Sequence, residues 1–91
     1  MILIKTKDNL YNFNNLINIF ISDDKIKIMD ATSIADVLYN NENKEVVQKV
    51  YTTIQNQIVN LNNENKSGCV NVDYIAEKLE SNTIPLTNKQ F

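Results

Sequence analysis

A chain of 91 residues with a formal net charge of −2, 43% apolar and 22% charged, has the size of one domain with one core and is too apolar for general disorder. Histidine, arginine and tryptophan are absent, and there is one glycine and one cysteine. This excludes a serine or cysteine nucleophile paired with a histidine base, and the glycine-rich loop that cradles phosphate.

Met1 to Thr6 reads as a first strand, closed by the polar turn Lys7-Asp8-Asn9, and Leu10 to Asn15 is mixed. Leu16 to Ile21 alternates, as does Ile26 to Met29 beyond the turn Ser22-Asp23-Asp24-Lys25, so the two form a hairpin. Ile17, Ile19, Ile21, Ile26 and Ile28 share its buried face, while Asn18, Lys25 and Lys27 lie on the wet one.

Ser33 to Tyr39 fits either a strand or a short helix capped by Ser33. A strand is preferred, because only Asn40 and Asn41 separate it from the helix that follows. That helix spans Glu42 to about Asn60, with Val47, Val50, Tyr51, Ile54, Ile58 and Leu61 recurring at three- and four-residue spacing. Asn41 is its expected N-cap, Glu42 and Glu45 suit the positive end of the dipole, and its single apolar side packs once, onto the sheet.

Asn60 to Gly68 is polar and reads as a loop or hinge. Beyond it, Val70, Val72, Ile75, Ala76 and Leu79 suggest a brief strand or a short helix from Asp73 to about Ser81, which Pro85 prevents from continuing. The expected fold is therefore α+β: a small antiparallel sheet of three to four strands covered by one long amphipathic helix, plus a short C-terminal helical or extended segment. The expected division is a body over 1–61, a polar loop or hinge over 62–69, and a C-terminal segment over 70–91 that packs on the body with its last residues frayed.

Strand, hairpin, strand and then NKEVVQKVYTTI, over roughly residues 1 to 60, resemble a recurrent pattern of short uncharacterised proteins from low-GC Gram-positive bacteria and their phages. The resemblance is in rhythm and implies a fold and a source, with no catalytic motif and no functional residue attached. Composition agrees, since sixteen asparagines, nine lysines and twelve isoleucines have codons rich in A and T. No secretory signal pattern and no apolar run of bilayer-spanning length is present, and the lone Cys69 suits a reducing compartment, so the expected location is the cytoplasm.

Asp23, Asp24, Asp30 and Asp36 cluster in sequence, but without the glycine and terminal glutamate of a calcium loop they read as turn and edge residues. No metal, cofactor or small-molecule substrate is expected, and Cys69 is assigned no role. Val72 to Leu79 resembles the first helix of a helix-turn-helix, which makes DNA binding an alternative function, with Lys5, Lys7, Lys25 and Lys27 as the phosphate contacts. Net negative charge, the lack of arginine and the short tail after Leu79 weigh against it.

The favoured reading is a non-enzymatic protein-binding or accessory module, such as a phage or plasmid uses to modulate a host protein. Its interface would be an apolar strip of Leu16, Phe20 and Met29 on the second sheet face. A homodimer through the same strip is a further alternative. Equally, Ile75 and Leu79 of the C-terminal segment would convert the strip into a second small core by folding over it.

Overall fold

The computed structural model describes residues 1–32 and 34–88, and the side chains of these except at 16, 17 and 82–88. The chain is α+β, with β1 (Ile2–Lys5), β2 (Leu10–Asn12), a 3₁₀ turn (Phe13–Asn15), β3 (Leu16–Ser22), β4 (Lys25–Asp30), β5 (Ala35–Asn40), α1 (Lys44–Asn63), β6 (Gly68–Asn71) and α2 (Val72–Asn88). Its strands form two three-stranded sheets, ordered β2-β1-β6 and β3-β4-β5. The expectation of one antiparallel sheet under one helix is corrected on both counts.

Local chemistry explains the division. The Thr6 amide donates to the Asn9 carbonyl at 2.9 Å, and the Thr6 hydroxyl accepts from the Asn9 amide. This tight turn folds Leu10–Asn12 back along β1, with Ile4 opposite Tyr11. The Asn12 side chain then accepts from the Asn14 amide, and the 3₁₀ turn at Phe13–Asn15 redirects the chain so that β3 opens a second sheet. On its other edge β1 takes β6 in parallel, with Ile4 opposite Val70.

The second sheet is an antiparallel meander in which Ile19 faces Ile28 and Ile21 faces Ile26, so the expected isoleucine face forms. Ile26 and Ile28 are buried, and Ile19 and Ile21 pack against the same core; the side chain of Ile17 lies outside the described residues. The preference for a strand before the main helix holds as β5, although Ser33 lies outside the described residues. Leu38 is an extra residue on β5, since Ile26 pairs with Tyr39 and Lys27 with Val37. This bulge turns Leu38 into the core while Tyr39 stays half-buried against it.

α1 begins two residues later than expected. Asn43, not Asn41, is the N-cap, its side chain accepting from the amides of Glu45 and Val46. Asn41 is engaged one step upstream, where its side-chain Oδ1 accepts from the Asn43 backbone amide at 2.8 Å and its backbone amide donates to the Asp24 carbonyl. Glu42 therefore precedes the helix, and Glu45 is the acidic residue of the first turn.

The far end closes with a left-handed residue, Asn65 at φ 58°. The Asn65 amide donates to Asn62 and the Lys66 amide to Leu61, satisfying carbonyls the helix leaves open. Gly68 follows, where a Cβ would stand 2.9 Å from Leu61 Cδ2; the close approach of β6 to α1 leaves little room for a side chain.

One core joins both sheets and both helices. Ile2, Ile4 and Val70 come from the first sheet and Ile26, Ile28 and Leu38 from the second. Val46, Val47, Val50, Ile54 and Ile58 come from α1, and Val72, Ile75 and Ala76 from α2. α1 thus packs against α2 as well as against the sheets. α2 also passes through Pro85, which was expected to stop it. Proline removes its own amide, and so one bond to the carbonyl four residues back; the 17-residue helix absorbs that loss. The fraying expected of the last residues falls partly on 89–91, outside the described residues. No helix among the described residues is long and apolar enough to cross a membrane.

Candidate functional site

Alternation and register place a mixed apolar and cationic surface on the face of β3-β4-β5 turned away from the core. Phe20 stands opposite Lys27 and Lys27 opposite Val37; Asn18 stands opposite Met29 and Met29 opposite Ala35. Phe20, Lys27 and Met29 are half-buried, and Val37 is 45% exposed. Cross-strand neighbours on one face lie about 5 Å apart, so Phe20, Lys27, Val37 and Met29 are contiguous.

The structure therefore brings Phe20 and Met29 together, while the side chain of Leu16 lies outside the described residues. Val37 joins them and was not among the expected strip residues. Its signal is the alternation of Ala35 and Val37, which shows its face only once the register with β4 is known; the bulge at Leu38 breaks the alternation and takes Tyr39 to the core side. Ile75 is buried in the main core and Leu79 packs against it, so these two residues do not roof the strip.

Polar contacts hold the edges of this sheet. The Tyr51 hydroxyl, from α1, donates to the Ile19 carbonyl on β3 at 3.1 Å. On β5, Asp36 accepts from the Tyr11 hydroxyl at 3.4 Å, and Glu80 of α2 accepts from the Tyr39 hydroxyl, which itself accepts from the Asn41 side-chain amide at 3.0 Å. Burial, reinforced by the bond to Glu80, pushes the Tyr39 hydroxyl up to about 12. Burial and the neighbouring Asp36 carboxylate raise the Tyr11 hydroxyl in the same way.

The four aspartates that cluster in sequence are dispersed in space. Asp23 and Asp24 form the hairpin turn, pairing with Lys44 at 3.1 Å and Lys25 at 2.9 Å. Asp30 lies at the other end of β4, about 20 Å away for a six-residue strand, where Thr32 donates to it and holds its carboxyl below the ordinary value. Among the described residues no group of three or more histidine, cysteine, aspartate or glutamate side chains is placed to hold a metal ion.

The four lysines of the DNA-binding alternative divide between the sheets. Lys5 and Lys7 border a shallow depression on the first sheet with Leu3, Leu10 and the exposed Cys69, whereas Lys25 and Lys27 stand on β4. The segment Val72 to Leu79 lies in one continuous helix to Asn88, so no turn and second helix follow it among the described residues. A second groove runs between the helices, lined by Thr53, Gln57, Tyr74 and Lys78, with the Lys78 ammonium 5.4 Å from the Tyr74 ring centre.

Comparison with known proteins finds no matching family model, no matching curated protein and no matching solved structure.

Proposed function

We propose that the chain is a non-enzymatic accessory module that binds another protein through the open face of β3-β4-β5, of the kind a phage or plasmid uses to modulate a host protein. The supporting observation is the grouping of Phe20, Met29 and Val37 on the face opposite the core. Apolar side chains clustered on a sheet face gain most when a partner removes them from water, and aromatic and methionine side chains are the favoured anchors of such contacts.

Phe20→Ser tests the reading. The substitution should weaken association severalfold or more while shifting the melting temperature by no more than about 5 °C, the equivalent of roughly 1 kcal/mol in a domain of this size. A large loss of stability with unchanged association would place Phe20 in a core and end the proposal.

A further inference from the structure

We propose, building on the protein-binding reading, that the occupant of the β3-β4-β5 face is a surface of a different protein in which carboxylates stand among apolar side chains, seated flat across β3, β4 and β5. Charge on the face argues for the carboxylates. The outward positions Asn18, Phe20, Ser22, Lys25, Lys27, Met29, Ala35, Val37 and Asn40 include two lysines and no acid, although the chain as a whole is acidic. Lys25 is already paired with Asp24, while Lys27 makes no ion pair among the described residues and stands between Phe20 and Val37. An ammonium flanked by apolar groups is desolvated when a partner covers them, and an opposing carboxylate offsets that cost.

The same charge disfavours a second copy, because a two-fold axis through the centre of this face would set Lys27 against Lys27. Flat docking rather than strand addition follows from the edges. On β3 the Ile19 carbonyl already accepts from Tyr51, and β5 carries the Leu38 bulge and Asp36, which are edge-blunting devices. Nucleic acid is poorly matched to a face with one aromatic ring and no arginine, bordered by Asp23 and Asp24.

The test uses the full chain labelled with ¹⁵N and two synthetic amphipathic peptides that share their leucines, one carrying glutamates and the other lysines, with an oligothymidylate as a third probe. The proposal expects the glutamate peptide to shift the amides of Asn18, Phe20, Lys27, Met29 and Val37, and the lysine peptide to bind at least threefold more weakly. Lys27→Glu should reverse the preference, and Lys27→Gln should remove it with the fold intact by its amide spectrum. Equal binding of both peptides on this face overturns the acidic occupant and leaves the protein-binding reading standing. Failure of both peptides to shift these amides overturns both readings. Preferential binding of the oligothymidylate, or a concentration-dependent dimer that shifts the same amides, overturns the proposal in favour of nucleic acid or a second copy.

Discussion

At the scale of single residues, the positions under most backbone constraint among the described residues are an aspartate and an asparagine in turns. Asp23 sits at φ 59° in the hairpin loop and Asn65 at φ 58° after α1. In the left-handed region asparagine is tolerated, glycine is at home, and a β-branched residue pays a steric cost. Asn65→Gly should therefore leave thermal stability unchanged or raise it by up to about 0.5 kcal/mol, whereas Asn65→Val should lose about 1–2 kcal/mol. Equal melting curves for the two variants would contradict the helix end described. Asn43 matters through its side chain instead, its backbone being extended at φ −82°, and Asn43→Ala should cost about 1 kcal/mol by leaving the Glu45 and Val46 amides without their acceptor. Denaturant unfolding of this variant reads that loss; Asn41→Ala carries a cost of its own, because the Asn41 side chain accepts from the Asn43 backbone amide and donates to the Tyr39 hydroxyl. Nothing in composition separates these structural asparagines from the others, because a biased codon usage scatters the residue over solvated positions as well.

Between elements, Tyr39 at the contact of β5 with α2 contributes to the alkaline pH dependence. Burial, reinforced by the bond it donates to Glu80, raises the Tyr39 hydroxyl from 10.0 to about 12 in the fold. Between these values the unfolded chain binds fewer protons than the native one, so stability falls as pH rises. The contribution is complete below pH 10 and is lost as pH approaches 12. Tyr39→Phe should flatten this alkaline limb, after allowance for Tyr11 and Lys25, which are raised too; an unchanged slope would show that Tyr39 does not govern it. The register of α1 makes a sharper demand. Ile54 is fully buried and Gln55 exposed, so Ile54→Asp should unfold the domain by several kcal/mol while Gln55→Asp changes stability by less than about 0.5 kcal/mol. Circular dichroism of both variants decides it. The helix was legible because its 3.6-residue period repeats over five turns. β2 was not, since three residues, Leu10 to Asn12, are too few to show a period of two.

For the molecule as a whole, the open sheet face has a consequence in solution. A face whose centre is a lysine without an ion pair among the described residues should leave the purified chain monomeric, with no change of sedimentation mass over about a hundredfold range of concentration. A dimer would move the interface to a second copy and redirect the search to residues across a two-fold axis. The Phe20 and Met29 strip was half legible beforehand: alternation in LINIFI and IKIM shows which side chains share a face, but membership of Val37 depends on the register between β4 and β5. Periods carried along a few contiguous residues are enough to mark the chain as α+β, to put Ile19, Ile21, Ile26 and Ile28 on one face and to make α1 amphipathic. Long-range packing instead divides the strands into two sheets, joins β6 to β1 in parallel, carries α2 through Pro85 with its first turns in the main core, and places Ile75 and Leu79 there rather than over Phe20. Those outcomes depend on pairings between segments tens of residues apart, where several partners satisfy the same local pattern and the shared burial of the whole core selects among them.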